Sequence, residues 1–169
     1  MGGDKLNFNN RHDQSQDIKD YGNDPFIVNI DCLTKTNHFY RTALWTGDHL
    51  QVTLMSIPVG GDIGLEIHNN LDQFIRIESG TALALMGKSR SSLSYRQTID
   101  SNYAVIIPAG TWHNIVNTGN TPLKLYSIYA PPQHPFGTIH PTKADSSAFV
   151  LSWSFAMCPY LLLCLYLAH

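Results

Sequence analysis

The sequence predicts an all-β fold, either a sandwich or a barrel of short strands. Between Pro25 and Pro132 the chain alternates runs rich in β-branched and aromatic residues with turn signals containing glycine or asparagine. No stretch in this region has the 3.6-residue periodicity of a convincing amphipathic helix. The 169 residues are 43% hydrophobic and 14% charged, which suits one folded core and excludes an intrinsically disordered chain.

The elements follow one another at short intervals. Residues 1–24 are polar and aperiodic, which predicts a flexible arm, and residues 25–143 are expected to form the domain. The predicted strands are FIVNI, TALW, LQVTLMSI, IGLEIH, QFIRIE, TALALM, YAVIIP, HNIVNT and LKLYSIYA. Residues 88–100 are polar and are predicted to form a solvated loop that joins two β halves.

An apolar tail follows the predicted domain, over residues 144–169. No charged residue occurs from Ala148 to Ala168, and a helix of that length would be about 31 Å long, close to the hydrocarbon core of a membrane. Pro159 and the absence of a basic flank argue against a membrane span. The tail could be an anchor, a packed extension or an artefact of the reading frame.

Charge and cysteine content restrict the partners and the compartment. A net charge of -2, without long runs of one sign, gives no electrostatic reason to expect nucleic acid or an anionic membrane surface, so a small molecule is the expected partner. The three cysteines form neither a CxxC motif nor an even disulfide framework, which favours a reducing compartment. We therefore expect a cytoplasmic protein, with membrane attachment only if the tail is an anchor.

Two spaced motifs contain the candidate metal ligands. The first has the form G(x)5ExH(x)4Q(x)6G, with Glu66, His68 and Gln73 at its polar positions, and the second has the form PxG(x)2H(x)3N, with His113 at its centre. Residues two apart on a strand share a face, so Glu66 and His68 are expected to point into the same cavity. Each of these residues alone is more often structural than ligating, but the joint spacing favours a metal site.

The donor set predicts the class of ion. Two imidazoles and one carboxylate, with Gln73 as a weak fourth ligand, suit a divalent ion such as iron, manganese, zinc or nickel. Positions would remain open for substrate, water or dioxygen. Glu66 is also the candidate catalytic residue, because no other general base is identifiable.

The two motifs resemble the paired motifs of the cupin superfamily. Glu66 stands where that family has its first histidine, Gln73 where it has a glutamate, and Asn102 where the second motif begins with glycine. The phrases DQFIRIESG and YAVIIPAGTWHNIVNTGNTPLKLYSIYAPPQHP are similar to small single-domain cupins labelled mannose-6-phosphate isomerase-like. The resemblance implies a jelly-roll β-barrel, or double-stranded β-helix, and a homodimer.

Three functions from different classes follow. The first is a metal-dependent enzyme, isomerase-like or dioxygenase-like, acting on a small oxygenated molecule; the second is a non-catalytic binding or sensing module; the third is an interaction unit held at a membrane by the tail. Alternation places Arg76 and Glu78 outward, and Lys88, Arg90 and Arg96 could reach the cavity only from its rim. An uncharged or carboxylate substrate that binds the ion directly therefore fits best.

Alternation also bears on assembly. Leu65, Ile67 and Phe74 are expected on an apolar outer face that a second copy would cover. Cover by residues 25–45 of the same chain is the alternative.

Overall fold

A computed structural model describes residues 18–146 of the chain. Residues 1–17 of the predicted arm and the whole apolar segment 148–168 lie outside the described residues. The elements, in chain order, are α1 (Ile30–Thr36), β1 (Arg41–Thr46), β2 (Gln51–Ile57), β3 (Asp72–Ser79), β4 (Ala82–Gly87), β5 (Tyr95–Ile99), β6 (Ala104–Ile107), β7 (Trp112–Asn117), β8 (Leu123–Ala130) and β9 (Ile139–His140). None of the helices within residues 18–146 is long and apolar enough to cross a membrane.

The strands form two antiparallel sheets. The larger has the order β6-β3-β8-β2-β1-β9 and the smaller has the order β5-β4-β7. Both sheets contribute to one buried apolar cluster, in which Ile75 and Ile77 of the larger sheet meet Ala84 and Ile115 of the smaller. The predicted all-β jelly-roll fold is confirmed.

The interior of the larger sheet has an apolar half and a polar half. Because β2, β8 and β3 are in continuous register, inward side chains form rows across the sheet. The apolar half contains Met55, Ile57, Ile77, Leu123 and Leu125. The polar half contains Gln51, Thr53, Gln73, Ser127 and Tyr129, and Ile75 lies in the row of Ser127 and Thr53. The polar half is where a ligand-binding site can lie without weakening the core.

Two elements differ from the sequence prediction. The run FIVNI is not a strand, because Asn29 caps the helix α1 by accepting a hydrogen bond from Cys32 N at 3.1 Å. This helix packs on the outer face of β2, β3 and β8. The predicted loop 88–100 contains strand β5, an edge strand whose polar composition reflects its largely exposed residues.

The segment 62–68, predicted as a strand, is irregular. It pairs with β7 only through the isolated bridges Asp62 to Val116 and Glu66 to His113. Four steps along this segment face three steps along β7, so one extra residue is accommodated as a bulge. Gly64, with a φ of 94°, lies in this bulge, in a conformation that favours glycine.

Part of the predicted arm belongs to the folded structure. Asp20 Oδ2 accepts hydrogen bonds from Thr46 Oγ1 at 2.6 Å and from Gly137 N at 3.0 Å. Tyr21 N donates to Leu44 O at 2.9 Å. Residues 18–24 therefore contact β1, in contrast to the expected mobile arm.

Candidate metal centre

The structure brings together three of the four predicted metal ligands. Glu66 N donates to His113 O at 3.1 Å and His113 N donates to Glu66 O at 3.0 Å, so the segment 62–68 is held against β7. Glu66 Oε1 lies 3.3 Å from His113 Nε2 and 3.5 Å from His68 Nε2. One donor atom from each of Glu66, His68 and His113 lies within 4.8 Å of the others, a separation that suits ligands of one ion.

These donor atoms face one another and have no other partner among the described residues. Glu66 Oε1, His68 Nε2 and His113 Nε2 are all buried, and no hydrogen bond from elsewhere in residues 18–146 reaches them. Buried polar atoms are normally satisfied, so a convergent group of unsatisfied ones needs an explanation, and a bound ion is one of the standard explanations.

The ring of His113 is oriented by a backbone carbonyl on the side that faces away from Glu66 and His68. Its Nδ1 lies 2.9 Å from Thr111 O, and a carbonyl oxygen can only accept, so Nδ1 carries the proton. In the tautomer that carries its proton on Nδ1, Nε2 is the atom free to bind an ion, and it faces Glu66 and His68. A backbone carbonyl that holds a histidine tautomer in this way is typical of metal-binding histidines.

Gln73, the fourth predicted ligand, also retains a free oxygen. It lies on β3 in the polar half of the interior and is 3% exposed. Its Nε2 donates to Ser127 Oγ at 2.9 Å, whereas its Oε1 is buried without a hydrogen-bond partner. The amide is therefore oriented by Ser127, and its oxygen is available.

The carboxylate of Glu66 is kept ionised. Burial raises its pKa, but the nearby imidazoles of His113 and His68 and the charge of Arg41 outweigh burial and lower the pKa to about 2. Glu66 thus has the protonation state that a metal ligand requires throughout the neutral range.

Sequence reasoning missed Arg41, which lies inside the fold. It is 5% exposed, and its Nη2 lies 3.9 Å from Met55 Sδ in the interior. Basic side chains were expected to reach the cavity only from its rim, and the inward position of Arg41 corrects that expectation. The predicted strand TALW began one residue too late, and alternation from Ala43 would have placed Arg41 on the inner face.

Sequence reasoning also missed His134, which lies outside the two motifs. Its backbone is held by the side chain of Gln51, which donates to His134 O and accepts from His134 N, both at 2.9 Å. Its ring packs edge-on against Tyr129, which in turn contacts the ring of His68. Burial and the charge of Arg41 lower the pKa of His134 to about 3, so it is neutral.

The candidate centre lies within a region that matches a known family. The family model described as Cupin domain matches residues 53–129, which include all four predicted metal ligands. The uncharacterized protein YrkC of Bacillus subtilis (strain 168) is 63% identical over 131 residues, which are 78% of this chain and 70% of that protein. The chain belongs to the cupin family.

Other relatives agree with this assignment. The uncharacterized protein L612 of Acanthamoeba polyphaga mimivirus is 43% identical over 125 residues, covering 73% of this chain and 76% of that protein. The crystal structure of BH2720 from Bacillus halodurans has a TM-score of 0.77 and 62% identity, and the match covers 78% of this chain and 99% of that one. TT1209 from Thermus thermophilus, at 18% identity and a TM-score of 0.53, shares the fold.

Proposed function

We propose that this cupin is a metal-dependent enzyme that acts on a small oxygenated molecule. The observation that supports it is the convergence of Glu66, His68 and His113, whose unpaired donor atoms lie within 4.8 Å of one another. Gln73 adds a fourth donor through its unpaired Oε1. The residues present therefore fit one divalent ion.

The donor set restricts the ion and its chemistry. Two imidazoles, a carboxylate and an amide oxygen suit iron, manganese, zinc or nickel. This site has two histidines and not three, so it favours ions that accept oxygen ligands. When bound, such an ion polarises a carbonyl or hydroxyl oxygen of the substrate, or supplies redox chemistry with dioxygen.

The side chains around the centre orient and polarise but do not shuttle protons at neutral pH. Glu66 stays ionised because its pKa is lowered to about 2. Tyr129 stays protonated because burial raises its pKa, and His134 stays neutral because burial and the charge of Arg41 lower its pKa to about 3. Glu66 accordingly acts by holding the ion and reducing its positive charge, and the substrate must be activated by direct contact with the ion.

Turnover with defined metals tests the proposal. Iron-loaded protein is assayed for oxygen consumption with diketones and phenols, which tests the dioxygenase-like branch. Zinc- or manganese-loaded protein is assayed for aldose to ketose conversion, which tests the isomerase-like branch suggested by the likeness to mannose-6-phosphate isomerase-like proteins. Glu66→Gln should lower the rate of whichever reaction is observed by about 100-fold, the upper end of the range for losing a group that supports a metal site.

A binding or sensing module is the second candidate. Tyr129, His134 and Glu66 each keep one protonation state near neutral pH. Because none of the three exchanges a proton there, the site also suits binding without catalysis. Saturable ligand binding without turnover, with every plausible metal and a wide range of substrates, would support this second function and contradict the first.

A further inference from the structure

Within residues 18–146, Arg41 is a buried cation without an ion-pair partner. It is 5% exposed, and its guanidinium lies 5.6 Å from the centroid of the Tyr40 ring and 3.9 Å from Met55 Sδ. Its Nε is buried and has no hydrogen-bond partner, and no carboxylate of residues 18–146 lies within ion-pair distance of it. A buried charge is ordinarily paired, because leaving it unpaired costs several kcal/mol.

The side chain of Arg41 enters the interior next to its polar half. Arg41 lies opposite His140 in the register of β1 with β9, and its side chain lies beside Met55 of β2. The next inward residue of β2 is Thr53, which belongs to the polar half together with Tyr129, and the ring of Tyr129 contacts that of His68. The guanidinium is therefore on the same inner face as the polar half that borders the candidate metal centre.

We propose that Arg41 binds the carboxylate of the substrate, which makes the substrate class a small hydroxy- or oxo-carboxylic acid. The second oxygen of such a molecule would contact the ion held by Glu66, His68, His113 and Gln73. The part of the inference that concerns the ion rests on the proposed function, whereas the contact between carboxylate and Arg41 does not.

A carboxylate fits this position better than a phosphate. The planar guanidinium matches a carboxylate through two parallel hydrogen bonds, and one positive charge neutralises one negative charge. A phosphate would bring up to two negative charges, of which a single guanidinium neutralises one.

The test measures the binding of defined acids and their uncharged counterparts. Pyruvate and glycolate are compared with methyl pyruvate, ethylene glycol and inorganic phosphate by isothermal titration calorimetry, on metal-free and on zinc-loaded full-length protein. Three variants are compared with wild type: Arg41→Gln, Arg41→Lys and the control Arg96→Gln, which changes an exposed arginine on β5. Circular dichroism and thermal unfolding establish that each variant is folded.

The wild type should bind the acids more tightly than the uncharged compounds. Arg41→Gln should weaken acid binding by about 10- to 100-fold, the range expected for a lost charge-assisted hydrogen bond. Arg41→Lys should retain part of the affinity, and Arg96→Gln should behave as wild type. Equal binding of pyruvate and methyl pyruvate by the wild type would overturn the inference even if Arg41→Gln fails to fold.

Two further results overturn the inference: unchanged acid affinity in Arg41→Gln, and binding of phosphate without binding of either acid. Metal content is measured on the same samples. If the protein binds no metal but metal-free protein still binds the acids through Arg41, the proposed enzyme function fails and the carboxylate site stands. If metal is bound and the acids are not preferred, the carboxylate site fails and the metal centre stands.

Discussion

At the scale of single residues, the candidate centre depends on side chains whose type and spacing were visible in the sequence. Glu66, His68 and His113 converge as expected, because the spacing within each motif fixes where each residue leaves its element. Asn102 has a φ of 73°, so the asparagine that replaces the glycine of the second cupin motif adopts the left-handed conformation for which it is suited. Such positions are predictable because the constraint is local.

Gln73→Glu should make the stability of the protein more dependent on metal. In the proposed ligand set, a second buried carboxylate at position 73 repels Glu66 when no ion is present, so the melting temperature in chelator should fall below that of wild type. A divalent ion would neutralise both charges, so the rise in melting temperature on adding metal should exceed that of wild type. Thermal unfolding of both proteins, with and without metal, measures the difference.

Gln51→Glu is the matched control for Gln73→Glu. Gln51 is also fully buried, but its Nε2 donates to Thr46 Oγ1 and His134 O. Losing these donors should destabilise the protein equally with and without metal. A metal response of Gln73→Glu no larger than that of wild type would show that Gln73 is remote from any ion.

At the scale of elements, the segment 62–68 shows what the sequence could not supply. Period-two alternation predicted a regular strand, but the bulge at Gly64 reduces the pairing with β7 to two bridges. The helix α1 was not predicted because seven residues are too few to show a clear helical periodicity. A helix this short is stable only when it packs on other elements, here β2, β3 and β8, so capping by Asn29 alone could not predict it.

Gly64→Ala should weaken the metal centre as well as the fold. A Cβ at Gly64 meets only Lys143 Cε at 3.9 Å, so the cost is the strain of a positive φ, about 1 to 2 kcal/mol. Relief of that strain shifts the bulge that positions Glu66 and His68. Urea unfolding and metal titration should both show a loss.

The control for Gly64→Ala is Gly137→Ala, which has a φ of 73° and no atom within 4 Å of the added Cβ. It should lower stability by a similar amount and leave metal affinity unchanged. Equal metal affinity in both variants would show that the bulge does not position the ligands.

His134, in the segment that follows β8, should make the metal-free protein less stable at acidic pH. The pKa of His134 is lowered from its ordinary 6.5 to about 3 in the folded state, so the unfolded chain binds a proton that the folded one does not between these values. The free energy of unfolding should therefore fall as the pH decreases through this window.

His134→Asn removes that titration. Both proteins are unfolded with urea in the presence of chelator. Lowering the pH from 7 to 4.5 should decrease the free energy of unfolding of the wild type more than that of His134→Asn. His49→Asn, at an exposed turn position, is the control. A difference that does not change with pH would contradict the buried, neutral state of His134.

At the scale of the whole molecule, the interior is divided into an apolar half, which stabilises the fold, and a polar half, which can hold a ligand-binding site. The sequence predicted the fold class because most strands alternate clearly, and it predicted the cluster of Glu66, His68 and His113 because these residues lie in compact motifs. Arg41 was missed because the predicted strand began one residue too late, and His134 because its contact with Tyr129 depends on how the segment after β8 folds back. The homodimer stays a prediction; the helix α1 already covers part of the outer face that was expected to need a partner.

A bound ion should support the whole fold. Metal at about 100 times its dissociation constant would add about 2.7 kcal/mol to the free energy of unfolding, because it binds the assembled ligands and not the unfolded chain. Chelator should therefore lower the melting temperature of wild type. The same chelator should have no effect on His68→Ala, whose ligand set is incomplete.

Metal content tests the central claim most directly. Wild type, His113→Ala, His68→Ala and the exposed-histidine control His38→Ala are purified from metal-supplemented medium and analysed by elemental mass spectrometry, with circular dichroism to establish folding. Wild type and His38→Ala should contain about one divalent ion per chain, and the other two variants little or none. Equal metal content in wild type, His113→Ala and His68→Ala, or no metal in any of them, would contradict it.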